Sequence, residues 1–319
     1  MTRSCRQRGM TLIAFMVALT LGALLLLLAV ELVLASRQSL RWQAAVTQLE
    51  RGGERGLSLV ASELRMAGFR GGVSSVPLPA GAPDCGAGDG WALAPAPALA
   101  FADREGSTDV FLSDGSTPGC LPRRHLQPGS DLLALKRAAV VETGPGGRAF
   151  RATQWYLLAD PLGRGAFAYA GAGAGPGDIP SAGRQVREWR TGIFYVRDYS
   201  VDAGDGIPVL CVERLQGRAM RSQCLVEGVE RFHVEFHCDR NGDGRADVLL
   251  ADPTEQDLQR VTHATVYLHL RTLAALRPLA EARVLVLGRE RVSVPAGDPY
   301  LHRVYVRTVP LDNLRWSRA

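Results

Sequence analysis

From Met10 to Val30 the chain carries no charged residue, and after Glu31 apolar character resumes in Leu32-Val33-Leu34-Ala35. At about 1.5 Å per residue the charge-free part alone makes a helix of roughly 31 Å, the thickness of a bilayer's hydrocarbon core. Beyond Ser36 the pattern changes period rather than ending. Val46, Leu49, Gly53, Leu57, Val60, Leu64 and Ala67 recur at steps of three and four, which predicts an amphipathic helix laying one apolar face on a sheet. Gly52, Gly53 and Gly56 interrupt the stripe at roughly 1 kcal/mol each relative to Ala, so a kink or local melting is expected there. Gly68, with Gly71 and Gly72 beyond Phe69, supplies the stop.

Later in the chain the period becomes two. Phe232, Val234, Phe236 and Cys238 fall on one side of a strand, with His233, Glu235 and His237 on the other, read as its wet face. Ala264, Val266, Leu268 and Leu270 alternate with Thr265, Tyr267, His269 and Arg271. Further strands are expected at 130–137, 153–159, 192–199, 207–215, 283–288 and 302–309. The class is α+β: a long N-terminal helix packed on an antiparallel sheet. The Gly/Ala/Pro-rich tracts 71–98 and 163–183 read as surface loops, because strands resume on both sides.

Composition narrows the function classes. A chain of 319 residues can bury a real core. Arg3, Arg6 and Arg8, ahead of the apolar run, supply three of the net +5 charges. The rest are interspersed without a basic stripe or stacking platform, which speaks against nucleic acid as a partner. Basic residues before the apolar run and mixed polarity after it place the N-terminus in the cytoplasm and the remainder across the inner membrane, in the periplasm. A secretory signal peptide fits less well, since the run is long and no small-x-small cleavage site follows it. A plain signal anchor is the other alternative.

Arg8-Gly9-Met10-Thr11-Leu12-Ile13-Ala14-Phe15-Met16-Val17-Ala18-Leu19 resembles the prepilin signature of type IV pilins and type II secretion pseudopilins. In that family a prepilin peptidase cuts after the Gly and the new N-terminus is methylated. The resemblance therefore implies cleavage between Gly9 and Met10, N-methylation of Met10, and retention of the apolar run. Met10 stands where Phe is usual. Ala14 stands where the family usually has Glu, a carboxylate thought to neutralise the terminal amine of a neighbouring subunit, where an unpaired charge would be costly. Glu31 is about 26 Å along the helix and cannot substitute.

Ala61-Ser62-Glu63-Leu64-Arg65-Met66-Ala67-Gly68-Phe69-Arg70-Gly71 resembles the LxxDLRMAGYRG segment of PilW-type minor pilins. Ala35-Ser36-Arg37-Gln38-Ser39, Phe194 to Ser200, Gly206 to Cys211 and Leu225 to Glu230 are similar to that family as well. The organisation this implies is a cleavable leader (1–9), a transmembrane helix (10–35), its amphipathic continuation (36–68) and a periplasmic β-rich domain (69–319) with a loop-rich insertion at 72–185. The implied function is that of a minor pilin in type IV pilus assembly, in the initiation or tip complex. Its partners would be other minor pilins, the major pilin and prepilin peptidase, and its destination the filament at the cell surface. A type II secretion pseudopilin of the J type and a filament-tip adhesin are the alternatives.

Cys5 would leave with the leader, and five cysteines remain for an oxidising compartment. Cys211 and Cys224 flank a turn around Gly217-Arg218 and could face one another across a hairpin. Cys85 and Cys120 bracket the insertion. Cys238 is expected in the core, although pairing with Cys224 or Cys211 is an open alternative.

The run Asp239 to Asp247 offers Asp239, Asn241, Asp243 and Asp247 at loop positions 1, 3, 5 and 9, with Gly244 at position 6. With Arg245 these residues form a candidate Ca²⁺ loop, although Leu250 occupies position 12 and Asp252 is the nearest acid. The alternative is a solvated turn whose side chains cap backbone groups. His233, Glu235 and His237 share one strand face and form a weaker candidate for Zn²⁺. No nucleophile elbow, phosphate loop or zinc-protease helix appears, so the chain is expected to be an enzyme's substrate and not an enzyme.

Overall fold

The computed structural model describes residues 12–86, 88, 90–104, 111–144, 147–276 and 281–316. Its first helix, α1, runs Leu12–Arg65. The chain divides into two units, residues 1–48 and 49–319. The described part of the first is helical throughout, with its large apolar side chains exposed.

The second unit combines the remainder of α1 with two antiparallel sheets. The larger contains β1 (Leu99–Ala102), β2 (Leu132–Ala138), β3 (Gln154–Ala159), β4 (Gly165–Ala170), β5 (Gln185–Arg197), β6 (Val209–Gln216) and β7 (Ala219–Glu227). Strand β5 is the spine. Strand β2 pairs with its residues 189–194, while β3 pairs with 185–188 and β6 with 192–197. The Glu188 carbonyl accepts from Ala139 N–H, beyond the end of β2. Strands β3 and β6 therefore share the opposite edge of β5 and fork apart from it. The smaller sheet contains β8 (Val229–Cys238), β9 (Val248–Leu250), β10 (Val261–Arg271) and β13 (His302–Pro310), ordered β13-β10-β8-β9. A separate hairpin is made by β11 (Arg283–Leu287) and β12 (Glu290–Val294). Short helices α2 (Glu255–Leu258) and α3 (Asp312–Trp316), with 3-10 turns at Arg123–His125 and Pro176–Asp178, complete the described elements.

The alternating residues build one core with the helix stripe. Leu57, Val60, Ala61 and Leu64 of α1 pack with Leu133, Leu135, Phe194, Leu210 and Val212 of the larger sheet, and with Phe232, Val234, Phe236, Val266 and Leu268 of the smaller. Each such burial is worth about 2 kcal/mol before entropy is charged against it. A second core on the other face of the larger sheet holds Trp91, Leu93, Tyr195 and Trp189.

Two expectations are corrected here. The tract 163–183 is not all loop: residues 165–170 form β4, because Phe167 and Tyr169 pack on Trp189 and Trp155 across the pleat. The glycines of α1 do not melt it, since the helix is continuous through all three. The helix closes as the sequence suggested. Met66 and Ala67 donate to the carbonyls of Glu63 and Leu64, and Gly68 takes φ +80° while donating to Lys136 O at 3.0 Å.

Candidate functional site

The N-terminal segment comes first. Gly9 and Met10 lie outside the described residues. Ala14 is an exposed helical residue, so where the pilin signature usually carries a carboxylate this helix presents a methyl group. Among the described residues one helix is long and apolar enough to cross a membrane, and none of its apolar window is buried. Such a surface suits lipid or other apolar helices around it.

Further along α1 the glycines define how closely the helix meets the smaller sheet. A Cβ on Gly53 would lie 2.4 Å from the Tyr305 ring, and one on Gly56 would lie 2.8 Å from Leu268 Cδ1. Only hydrogen fits in those places. Two of the three glycines expected to weaken the helix, Gly53 and Gly56, are thus what lets it seat.

Glu63, the acidic residue of the PilW-like segment, anchors the other end. Its Oε2 accepts from Arg137 Nε at 2.6 Å, and Arg214 Nη2 stands 3.9 Å from Oε1. Burial pushes the carboxyl up, but the hydrogen bond and charge of Arg137, with the charges of Arg214 and Arg190, outweigh it and hold the group below its ordinary value. Sequence reasoning passed over Arg137. Its signal was the Lys136-Arg137 pair at the end of an otherwise apolar strand, where charges need partners.

The Asp-rich loop is a set of Asx turns. Asp239 accepts from Gly242 and Gly244 N–H at 2.6 and 2.8 Å, Asn241 from Asp243 N–H, Asp243 from Arg245 N–H, and Asp247 from Arg240 and Asn241 N–H. Among the described residues no three His, Cys, Asp or Glu side chains converge to hold a metal ion. Both disulfides match the first-named pairings: Cys85–Cys120, and Cys211–Cys224 directly opposite in the β6–β7 register. Cys238 is buried.

The reading of His233, Glu235 and His237 as a wet face is corrected. His233 and Glu235 are each 2% exposed. The β11–β12 hairpin covers them, with Glu235 accepting from Arg289 N–H at 2.8 Å and from Tyr267 Oη at 3.0 Å. His233 Nδ1 lies 3.0 Å from Asp131 and 3.8 Å from Glu290. His237 bonds Thr265 instead, so the three do not form one ligand set. Alternation located this face, but nothing local announced that a hairpin fifty residues later would cover it.

With this geometry in hand, comparison with known families gives two matches. Residues 193–313 match the family model Type IV Pilus-assembly protein W, and residues 4–30 match the prokaryotic N-terminal methylation motif. The chain thus carries a PilW-family region at 193–313 behind a prepilin-type methylation motif at 4–30. The PilW-matched region begins within β5, ends within α3 and includes the whole smaller sheet. Among solved structures the chain is similar to the type IV-like pilin TTHA1219 from Thermus thermophilus, at 13% identity and TM-score 0.35, over 81% of this chain and 92% of that one. Comparison with curated proteins found no match.

Proposed function

We propose that this protein is a minor pilin of the initiation or tip complex in type IV pilus assembly. The observation that carries the reading is an exposed helix, free of charge as far as Val30 and with Ala14 at the signature's acidic position, joined to a PilW domain. The physical role follows. Prepilin peptidase removes residues 1–9, Met10 is methylated, and the apolar helix leaves the inner membrane for a bundle of like helices contributed by other minor pilins and the major pilin. Lacking the carboxylate at 14, the subunit has nothing to offer the terminal amine of a neighbour, which suits an end position better than a place in the repeating shaft. The folded domain is periplasmic until assembly carries it to the cell surface. The protein is a substrate of enzymes and not a catalyst. Calcium bound by the 239–247 loop would act as a structural clip, supported by its density of hard oxygens; calorimetry without heat at millimolar Ca²⁺ removes that element.

Deletion of the gene tests the assembly role. The reading expects loss of surface pili, with the major pilin retained in the membrane and piliation restored by the intact chain. Normal piliation with impaired protein secretion would overturn it.

A further inference from the structure

The fork between β3 and β6 opens a cleft of about 610 Å³ on the helix-facing side of the larger sheet. Leu135, Phe194 and Val212 form its floor, Glu63 of α1 one wall, and residues 151–154 with Tyr169 the other. Four guanidinium groups, Arg151, Arg190, Arg214 and Arg221, face two carboxylates, Glu63 and Glu188.

The pairing within this set is uneven. Glu63 spends its hydrogen bond on Arg137, outside the lining, and Glu188 spends its on Arg190 at 2.9 Å. Arg214 reaches Glu63 only at 3.9 Å and Arg151 reaches Glu188 only at 4.0 Å. Among the described residues Arg151, Arg214 and Arg221 donate no side-chain hydrogen bond. Three guanidinium forks around one bounded cleft are thus poised for an acceptor, and guanidinium is matched in shape to carboxylate.

We propose that this cleft binds an acidic peptide segment presented by another protein, with its carboxylates on Arg151, Arg214 and Arg221. Two carboxylates match the excess of four cations over two anions. A phosphate polymer does not, because the cationic surface is a bounded cleft and not a stripe, and its two wall carboxylates would repel a chain of phosphates. The site stands whether or not the protein acts at a pilus tip.

The test uses the full-length protein in detergent and a fluorescein-labelled peptide of alternating Glu and Leu, read by fluorescence polarisation. The expected result is saturable binding, loss of binding when Gln replaces Glu, and roughly tenfold or greater weakening in the Arg214→Gln/Arg221→Gln double variant. Arg184→Gln, an exposed arginine outside the cleft, should bind as the parent does. Phenylglyoxal labelling of the unmodified protein supplies a second readout independent of variant folding: the peptide should protect Arg151, Arg214 and Arg221. Equal binding of the Gln peptide, undiminished binding by the double variant, absent protection, or tighter binding of inorganic phosphate or a single-stranded oligonucleotide would each overturn the proposal.

Discussion

Gly53 of helix α1 lies against the ring of Tyr305 on β13, so close that a Cβ at position 53 would fall within 2.4 to 2.6 Å of three ring carbons. Helix propensity and packing therefore pull in opposite directions here. Gly53→Ala gains roughly 1 kcal/mol of propensity but forces the ring or the helix to move. The net expectation is a loss of about 1–3 kcal/mol in thermal unfolding of the detergent-solubilised protein. Gly52, whose Cβ would meet Leu270 and Val226 at 3.4 Å, is the internal control. Gly52→Ala should be neutral or stabilising by up to about 1 kcal/mol. Equal effects at the two positions would contradict the close seating of the helix.

The Glu63–Arg137 pair makes a second prediction. Arg137 is 8% exposed and Glu63 18% at the side chain, so removing one partner strands a charge. Glu63→Gln should cost roughly 3 kcal/mol, and a double-mutant cycle with Arg137→Met should recover much of it. The pH sign follows from the lowered carboxyl value. Its contribution is present above the unfolded-state value of about 4.3 and is lost as pH falls through the lower folded value. The difference between wild type and Glu63→Gln should therefore shrink on acidification below about pH 4.

His233 has the opposite sense. Burial alone pushes its imidazole down, but the hydrogen bond and charge of Asp131, with Glu290 and Glu235, outweigh it and hold the value above ordinary. Burial raises Asp131 to about 6 against the opposing pull of His233. Arg231, bonded to Glu290, and Tyr267, bonded to Glu235, flank the pair, and the charges of Asp103 and Arg104 act on Asp131. The stabilisation from charged His233 is complete below about pH 6.5 and is lost as pH rises through the raised folded value. Glu213, raised to about 7 by burial, adds a slope of the same sign below neutrality. The diagnostic is thus the difference between parent and His233→Gln, which should narrow between pH 6 and 8. A constant difference would deny the ion pair.

Cys211–Cys224 closes a hairpin with 13 residues of separation, and Cys85–Cys120 closes 35. Chain-entropy reasoning assigns each about 3–4 kcal/mol, slightly more to the longer loop. Cys85→Ala/Cys120→Ala should lower the unfolding midpoint at least as much as Cys211→Ala/Cys224→Ala, because among the described residues of the 71–126 region only Leu99–Ala102 and Arg123–His125 form regular elements.

What the sequence disclosed was what is local and periodic. The 3–4 stripe from Leu49 to Ala67, the alternation of β8 and β10, and the Cys211–Cys224 hairpin could all be read from spacing, because each depends on neighbours a few residues away. The role of Gly53 could not, since propensity speaks only of the helix and the deciding atom belongs to Tyr305, some 250 residues later. The burial of His233 failed for the same reason, the covering hairpin being remote. The arginine cleft draws on Glu63, Arg151, Arg190, Arg214 and Arg221, which only the fork of β3 and β6 brings together. Strand β4 was hidden by composition, its Gly and Ala masking the two aromatic residues that pin it.

The central claim is that the apolar helix is retained and its basic leader removed. Intact-mass and N-terminal peptide spectrometry of the membrane-extracted protein, from cells with and without prepilin peptidase, tests it directly. A mature chain starting at methylated Met10 only when the peptidase is present is the predicted result. A chain still starting at Met1 in both strains, or starting beyond residue 30, would contradict it.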